Sequence, residues 1–445
     1  MNDLVGEKML YIKPVFVFGK YPRFIKPDYS GFERNVNEKF ITKKAKELEL
    51  QLRQYLENAD TRLLEPSMVF SEEDLDDALR CSSDVIIICK FCLGLTKSLE
   101  KLLNLHVPIL LFEEPRVPYL ALDAYEYLHD KGNVQVVLDY EDLKAKIKVH
   151  GLRESLRNNK VLALSTDLPA YEQVAALRNP TPEQIMERFG VQVEHVKHAE
   201  LVEKWSQIPE EAAVGLAKKW LREAYHIVEP CENDLAFEAK LYLAIEKLVE
   251  ERSATAVTMV CSDQIAPLPA ECFAFAKLRD EGVPAGCEAD LTSLLMLLLV
   301  QKLCQRPAFM GNVLVVNPEE ETVAISHCVM PFKMAGFDAE PKRYELRDYH
   351  GLKFSGSLTA YYPLENGQIV TLARMDRNLT SIYVKTGVIV DCKEGFDCRT
   401  TLIVRISNVR EYVNKTSGNH QIVVFGDWIK EFEDASKIFG MRFIN

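Results

Sequence analysis

The first part of the chain alternates short apolar runs with amphipathic stretches. The runs are VFVF at 15–18, VIIIC at 85–89, VPILLF at 107–112 and VQVVLD at 134–139. They are rich in β-branched residues and largely continuous in apolar character, which is typical of strands buried on both faces of a parallel sheet. Because helical patterns separate them, residues 1–157 are predicted to form an N-terminal α/β domain.

A second unit with the same texture is predicted for residues 158–310. The run VLALST at 161–166 opens it, and VQVEHV and AVTMVC follow as further strands. Helical patterns dominate between them, at 198–206, 209–224 and 233–251. This unit is therefore predicted to be α/β as well.

From residue 311 to 445 the pattern changes to short alternating segments separated by turn signals such as ENGQ and SGNH. The segments are NVLVV, TVAIS, GLKFSG, LTAYY, QIVTLARM, SIYVKTG, TTLIVRIS and QIVVFG. Helical patterning is nearly absent until the last 18 residues. The predicted fold class is α/β, with two Rossmann-like α/β domains followed by a C-terminal β-barrel-like domain that a helix closes.

Charge and composition narrow the choice of partners. The chain has 54 basic and 66 acidic residues, a net charge of -12, and 47% of its 445 residues are hydrophobic. An acidic surface repels phosphate backbones and anionic lipids, so we expect no nucleic-acid or membrane partner. Small neutral molecules and divalent cations fit this charge better.

The chain is expected to be cytoplasmic. Its most apolar run, LTSLLMLLLV at 291–300, is far shorter than the roughly 20 residues of a membrane span. The N-terminal residues lack the apolar centre of a secretory signal. The eleven cysteines have no regular spacing, which is typical of reduced thiols rather than of a disulfide framework.

Candidate catalytic and metal-binding acids are concentrated in residues 266–303. Two helices are predicted there in succession, with Glu271 in the first turn of one and Asp290 at the start of the other, two residues after Glu288. The second helix is apolar on almost every face, so its entrance should lie at the edge of a core. Taken singly, each acid has a structural explanation. Asp290 is a plausible N-cap, and the negative charge of Glu271 in a first turn interacts favourably with the helix dipole.

Two histidines mark the β-rich part of the chain. His420 follows a Gly-Asn turn and begins a strand, and His327 ends one. A lone histidine in such a position is more often solvated or packed than a ligand. Phosphate loops of the form GxxxxGK[ST], a GxGxxG after the first strand and GxSxG elbows are absent from the sequence, which weakens nucleotide and serine-hydrolase interpretations.

The segments CEADLTSLLMLLL, GNHQIVVFGDW and RPAFMGNVLVVNPEEETVAISHCVMPF resemble the L-fucose isomerase and L-arabinose isomerase family. The resemblance is clearest over residues 256–445. It implies a metal site made of a Glu, an Asp and a His, which fall on Glu271, Asp290 and His420. Asp263 and Glu288 are weaker matches for the first ligand, and His327 matches the second histidine of the arabinose branch. CVMP after His327 differs from the Cys-Gly pattern of related proteins, which puts substrate contacts there in doubt.

The resemblance implies an aldose–ketose isomerase that acts on a free pentose or hexose through an ene-diol. Glu271 and Asp290 would then also carry the proton between C1 and C2. Two carboxylates and one imidazole suit Mn²⁺, or Mg²⁺, better than zinc held by thiolates. The family also implies a homo-oligomer, either a trimer or a hexamer, with the first domain covering substrate.

Two other functions remain open on the sequence. One is a non-catalytic sugar-binding or regulatory protein with the isomerase fold, which would be favoured if Glu271 did not reach the metal. The other is an epimerase or carbon–carbon lyase that forms the same enediolate. The catalytic predictions require Glu271, Asp290 and His420 to lie around one cation.

Overall fold

The computed structural model describes residues 9–26, 28, 30–58, 60–112, 119–157, 159–229, 232–261, 263–348, 357–395 and 398–445, without the side chains of Tyr119, Glu232 and Asp263. The chain divides into Val5–Ser155 and a second unit that contains Leu156–Asn445. Among the described residues, no helix has both the length and the apolar character needed to cross a membrane.

The first unit is built on a parallel sheet in the order β2-β1-β4-β5-β6, with β3 alongside β1. Seven of the eight residues of β1 and all six of β4 are buried, as their apolar runs predict. The strands are β1 (Leu10–Val17), β2 (Thr61–Leu63), β3 (Ser67–Val69), β4 (Val85–Lys90), β5 (Ile109–Phe112) and β6 (Val134–Val137). The helices are α1 (Glu38–Leu56), α2 (Leu75–Leu79), α3 (Glu100–Leu103), α4 (Tyr119–Leu128) and α5 (Tyr140–Leu156).

The second unit begins with a four-stranded parallel sheet in the order β11-β10-β7-β8. Its strands are β7 (Lys160–Leu164), β8 (Gln192–Val196), β10 (Ala256–Met259) and β11 (Ala285–Gly286). The helices of this region are α6 (Pro169–Arg178), α7 (Pro182–Phe189), α8 (His198–Ser206), α9 (Glu210–Glu223), α10 (Glu232–Glu251), α11 (Cys272–Asp280) and α12 (Leu291–Cys304). All residues of α12 except Gln301 and Lys302 are buried, so this helix is central to the core.

Six antiparallel strands follow and close into a barrel, in the order β16-β19-β12-β13-β18-β17 with β17 paired back to β16. They are β12 (Phe309–Asn317), β13 (Thr322–His327), β16 (Ile369–Met375), β17 (Ser381–Lys393), β18 (Thr400–Ile406) and β19 (His420–Phe425). Closure pairs both edges of the sheet and leaves no open edge strand among the six. Helix α12 contacts β16 and β19 of the barrel as well as β10 and β11 of the parallel sheet.

Smaller elements complete the second unit. A three-stranded sheet is formed by β9 (Ala224–Ile227), β14 (Tyr344–Asp348) and β15 (Leu358–Tyr361). The remaining elements are the helices α13 (Val409–Lys415) and α14 (Ile429–Ile438) and the strand β20 (Arg442–Ile444), which pairs with β17 in parallel.

The predicted succession of parallel α/β sheets and a C-terminal barrel is confirmed. The Rossmann-like detail and the boundary at residue 310 stay predictions. Helix α13 was not predicted, and α14 is followed by strand β20 rather than ending the chain. The predicted strand GLKFSG, at 351–356, lies outside the described residues.

Candidate metal centre

Glu288, His327 and His420 form a group that could hold a metal ion. One ligand atom from each lies within 4.8 Å of the other two. Glu288 Oε2 is 3.4 Å from His420 Nε2, and Glu288 Oε1 is 3.7 Å from His327 Nε2. Both Nε2 atoms are buried and have no hydrogen-bond partner in the described part of the chain. Buried polar atoms are normally paired, so two such atoms facing one carboxylate fit a cation site.

The barrel brings the two histidines together. His327 is the last residue of β13 and His420 is the first residue of β19. Strand β12 lies between these strands, and its Asn312 pairs with both Ser326 and His420. The ring centroids of the two histidines are consequently 5.7 Å apart, although the residues are far apart in sequence.

Glu288 reaches the histidines from a turn between β11 and α12. Its φ is 58° and that of Ala289 is 50°, so two successive residues other than glycine adopt the left-handed conformation. The guanidinium Nη1 of Arg178 lies 2.6 Å from Glu288 Oε2. Burial opposes the ionised form of Glu288, but the two imidazoles outweigh it and lower the pKa of Glu288 below its ordinary value.

Asp290 lies on the other side of the His420 ring and is completely buried. One of its oxygens accepts a hydrogen bond from Ser293 N at 2.9 Å, which makes Asp290 the N-cap of α12. The other accepts from His420 Nδ1 at 2.8 Å and from Ser293 Oγ at 2.9 Å, and Arg374 Nη1 lies 3.6 Å away. Burial opposes ionisation here too, but His420 and Arg374 lower the pKa of Asp290, so a carboxylate is retained.

The contacts of the two rings differ in a way that matters for metal binding. Because His420 donates its Nδ1 hydrogen to Asp290, the neutral ring has its lone pair on Nε2, where a cation could bind. Burial opposes the charged ring, but Asp290 and Glu288 raise the pKa of His420, so a cation would displace a proton from Nε2. The Nδ1 of His327 instead accepts a hydrogen bond from Cys328 N at 2.9 Å. The neutral ring of His327 therefore carries its hydrogen on Nε2, and it would have to give up the Cys328 contact to become a ligand.

Glu271 lies immediately before α11, at its N-cap position, and is completely buried. Neither carboxylate oxygen has a hydrogen-bond partner among the residues described. Burial, reinforced by the charge of Glu288, raises the pKa of Glu271 to about 8. Glu271 is near enough to Glu288 for this charge effect, but it is not part of the group within 4.8 Å. The side chain of Asp263 lies outside the described part of the chain.

The structure thus brings Asp290 and His420 into direct contact and places Glu288, rather than Asp290, on the Nε2 side of the ring. Arg178 and Arg374 also contact the acids of the site, and the sequence predicted a role for neither. No motif in the sequence marks these arginines. Their positions follow from the end of α6 and from β16 in the barrel.

The fold and the site define an α/β protein with a closed barrel and a Glu-His-His group, with both histidines buried, that could hold a metal ion. No protein-family model matches the chain. A sulfoquinovose isomerase from Clostridium sp. (strain MSTE9) is 27% identical to it over 149 residues. The match covers 33% of this chain and 33% of that relative, so about one third of the chain is similar to a protein named as a sugar isomerase.

Proposed function

We propose that this chain is a metal-dependent aldose–ketose isomerase that acts on a free monosaccharide. The observation that carries the proposal is the pair of unpartnered Nε2 atoms of His327 and His420 facing Glu288, in the described part of the chain. The partial similarity to a sulfoquinovose isomerase supports the same reaction class. The family resemblance of residues 256–445 supports it as well.

For the ligands we propose Glu288 and His420, joined by His327. Asp290 as a direct ligand stays a prediction, and its oxygens already accept hydrogen bonds from Ser293 and His420. An outer carboxylate that fixes the ring and its tautomer is a common partner of a metal-bound histidine. Mn²⁺ stays the metal that the family resemblance implies, although two imidazoles beside one carboxylate also suit Zn²⁺ or Fe²⁺.

We propose that the cation would polarise the substrate and that Glu271 would transfer the proton. A bound divalent cation would polarise the sugar carbonyl and stabilise the negative charge that develops when the C2 proton leaves. Glu271 is proposed to take that proton on a carboxylate oxygen and return it to C1. A pKa near 8 suits a group that must both accept and release a proton close to neutral pH. Glu271 as an additional metal ligand stays a prediction.

The proposal also keeps the organisation inferred from the sequence. The α/β region 158–310 would supply the acids, and the barrel region 311–445 would supply the histidines. A trimer or hexamer, and an N-terminal domain that covers substrate, stay predictions from the family resemblance. Light scattering of the purified chain would test the assembly.

The decisive experiment is isomerisation in D₂O after metal removal and reloading with Mn²⁺. Purified protein would be incubated with L-fucose, L-arabinose, sulfoquinovose and other free aldoses, and the products followed by NMR. We expect one aldose to give its ketose with deuterium incorporated from solvent, because an ene-diol exchanges its proton with water. Glu288→Gln, which keeps the shape of the side chain but removes its charge, is the matched inactive control.

Each alternative outcome has a distinct meaning. Tight Mn²⁺ binding without turnover of any sugar would favour the non-catalytic sugar-binding protein. Inversion at one carbon, or cleavage of a carbon–carbon bond, would favour an epimerase or a lyase. Absence of divalent-metal binding by the wild-type chain would refute the metal-dependent isomerase.

A further inference from the structure

The turn that presents Glu288 is held in an unfavourable backbone conformation. Glu288 and Ala289 both have positive φ, and neither is a glycine. Left-handed residues with a side chain persist only where the surrounding structure fixes them, and they are concentrated at functional sites. The contacts that fix this turn therefore help to determine where the Glu288 carboxylate lies.

Two of these contacts come from Asn179, the residue that follows helix α6. Its Nδ2 donates to Ala289 O at 2.9 Å, and its Oδ1 accepts from Leu291 N at 2.9 Å. The side-chain amide of Asn179 thus bridges Ala289, the second left-handed residue of the turn, and Leu291, the first residue of α12. The reverse amide orientation would place donor against donor and acceptor against acceptor, so the partners fix the orientation shown.

The end of α6 makes two further contacts with the same turn. Thr292 Oγ1 donates a hydrogen bond to Arg178 O at 2.5 Å, and Arg178 Nη1 donates one to Glu288 Oε2 at 2.6 Å. Asn179 is 8% exposed, so its amide hydrogen bonds are not exchanged readily with water. From the side of the parallel sheet, Ala289 N donates to Met259 O of β10 at 2.7 Å.

We propose that Asn179 is a positioning residue that holds the left-handed Glu288–Ala289 turn and so aims the Glu288 carboxylate at His327 and His420. This inference rests on the proposed metal site. This role requires no contact between Asn179 and the cation or the sugar. It acts through the backbone on which Glu288 is carried.

The test compares Mn²⁺ affinity with folding stability in the full-length chain. For Asn179→Ala we expect the Mn²⁺ dissociation constant to rise about ten- to a hundredfold, as is typical when an outer-shell contact is removed. Asn159→Ala is the matched control, because Asn159 is also buried and donates its side-chain amide to a carbonyl, that of Leu156. The control should lower the melting temperature of the metal-free protein and leave Mn²⁺ affinity unchanged.

A rescue variant separates positioning from a general loss of stability. Glycine adopts positive φ without a Cβ clash, so Ala289→Gly should make the turn less dependent on Asn179. Combined with Asn179→Ala, it should recover most of the lost Mn²⁺ affinity. If Asn179→Ala is not folded, Thr292→Val removes one hydroxyl contact of the same turn, and we expect a smaller rise in the dissociation constant.

The outcomes distinguish this inference from the proposed function. Wild-type Mn²⁺ affinity in Asn179→Ala, or in Thr292→Val if only that variant folds, would overturn the positioning role while leaving the metal site intact. An affinity loss that Ala289→Gly does not reduce would also overturn it. A wild-type chain that binds no divalent cation would instead refute the proposed function itself.

Discussion

Replacing Asp290 by asparagine tests how the site is organised around the His420 ring. The Asp290→Asn side chain would keep the size of the original and an oxygen for Ser293 N. It would lose the charge opposite Arg374, which is 4% exposed and lies 3.6 Å from Asp290. Removing one partner of a buried ion pair typically destabilises a protein by about 3–5 kcal/mol. We expect a loss of this order in the unfolding free energy of the metal-free protein.

The effect on the ring should be larger than the loss of one hydrogen bond. The introduced amide would donate to His420 Nδ1, so the neutral ring would move its hydrogen to Nε2 and lose the lone pair that a cation needs. If Asp290 acts as a carboxylate that orients a metal-bound histidine, Asp290→Asn should increase the Mn²⁺ dissociation constant about ten- to a hundredfold. Calorimetric titration with Mn²⁺, together with chemical denaturation of the metal-free protein, measures both quantities.

Ser293→Ala is the matched control for Asp290→Asn. It removes the hydrogen bond from Oγ to Asp290 at 2.9 Å and the one that Oγ accepts from Arg374 Nη1 at 3.1 Å, but keeps the charge, the N-cap and the His420 contact. We expect a cost of about 1–3 kcal/mol and unchanged Mn²⁺ affinity. Wild-type affinity in Asp290→Asn would refute the orienting role. A loss as complete as that in His420→Ala would show that Asp290 is itself a ligand, as the family resemblance implies.

Three further predictions address the ligands, pH dependence and a buried ion pair. His420→Ala should abolish Mn²⁺ binding, whereas His327→Ala should weaken it less because His327 must first give up its Cys328 contact; calorimetry measures both. Burial raises the pKa of Asp280 to about 7, so the native state binds more protons than the unfolded state between about pH 4 and 7. The unfolding free energy should therefore fall as pH rises through this range, and Asp280→Asn should flatten the profile. Glu223→Gln should destabilise the protein more than Lys277→Met in denaturation experiments, because it leaves the buried ammonium of Lys277 without its carboxylate.

The sequence pattern was most informative where many residues contribute to one signal. The apolar runs of β1 and β4 and the helix at His198–Ser206 follow directly from periodicity, and so does the change to antiparallel strands after α12. Helix α13 was missed because it is only seven residues long and starts from Asn408 in a left-handed conformation. Two turns with β-branched residues do not produce a detectable helical period.

The site was predicted less completely, for a different physical reason. The E-x-D step contains the two acids that lie beside His420, but sequence alone does not indicate which of them joins the two histidines in the group that could hold a cation. That choice depends on the positive φ of Glu288 and Ala289, which residues other than glycine rarely adopt. The contacts of Arg178 and Asn179 are long-range and depend on the tertiary fold, so no local signal precedes them.

The left-handed turn places two nearby acids beside different nitrogens of the His420 ring. Glu288 lies 3.4 Å from Nε2 of His420, and Asp290 lies 2.8 Å from Nδ1 of the same ring. Since Asp290 is also the N-cap of the buried helix α12, the group that sets the tautomer of His420 is anchored in the core. Glu288, the more accessible of the two acids, belongs to the Glu-His-His group that could hold a metal ion, so one short acidic segment provides both an anchor and a candidate ligand.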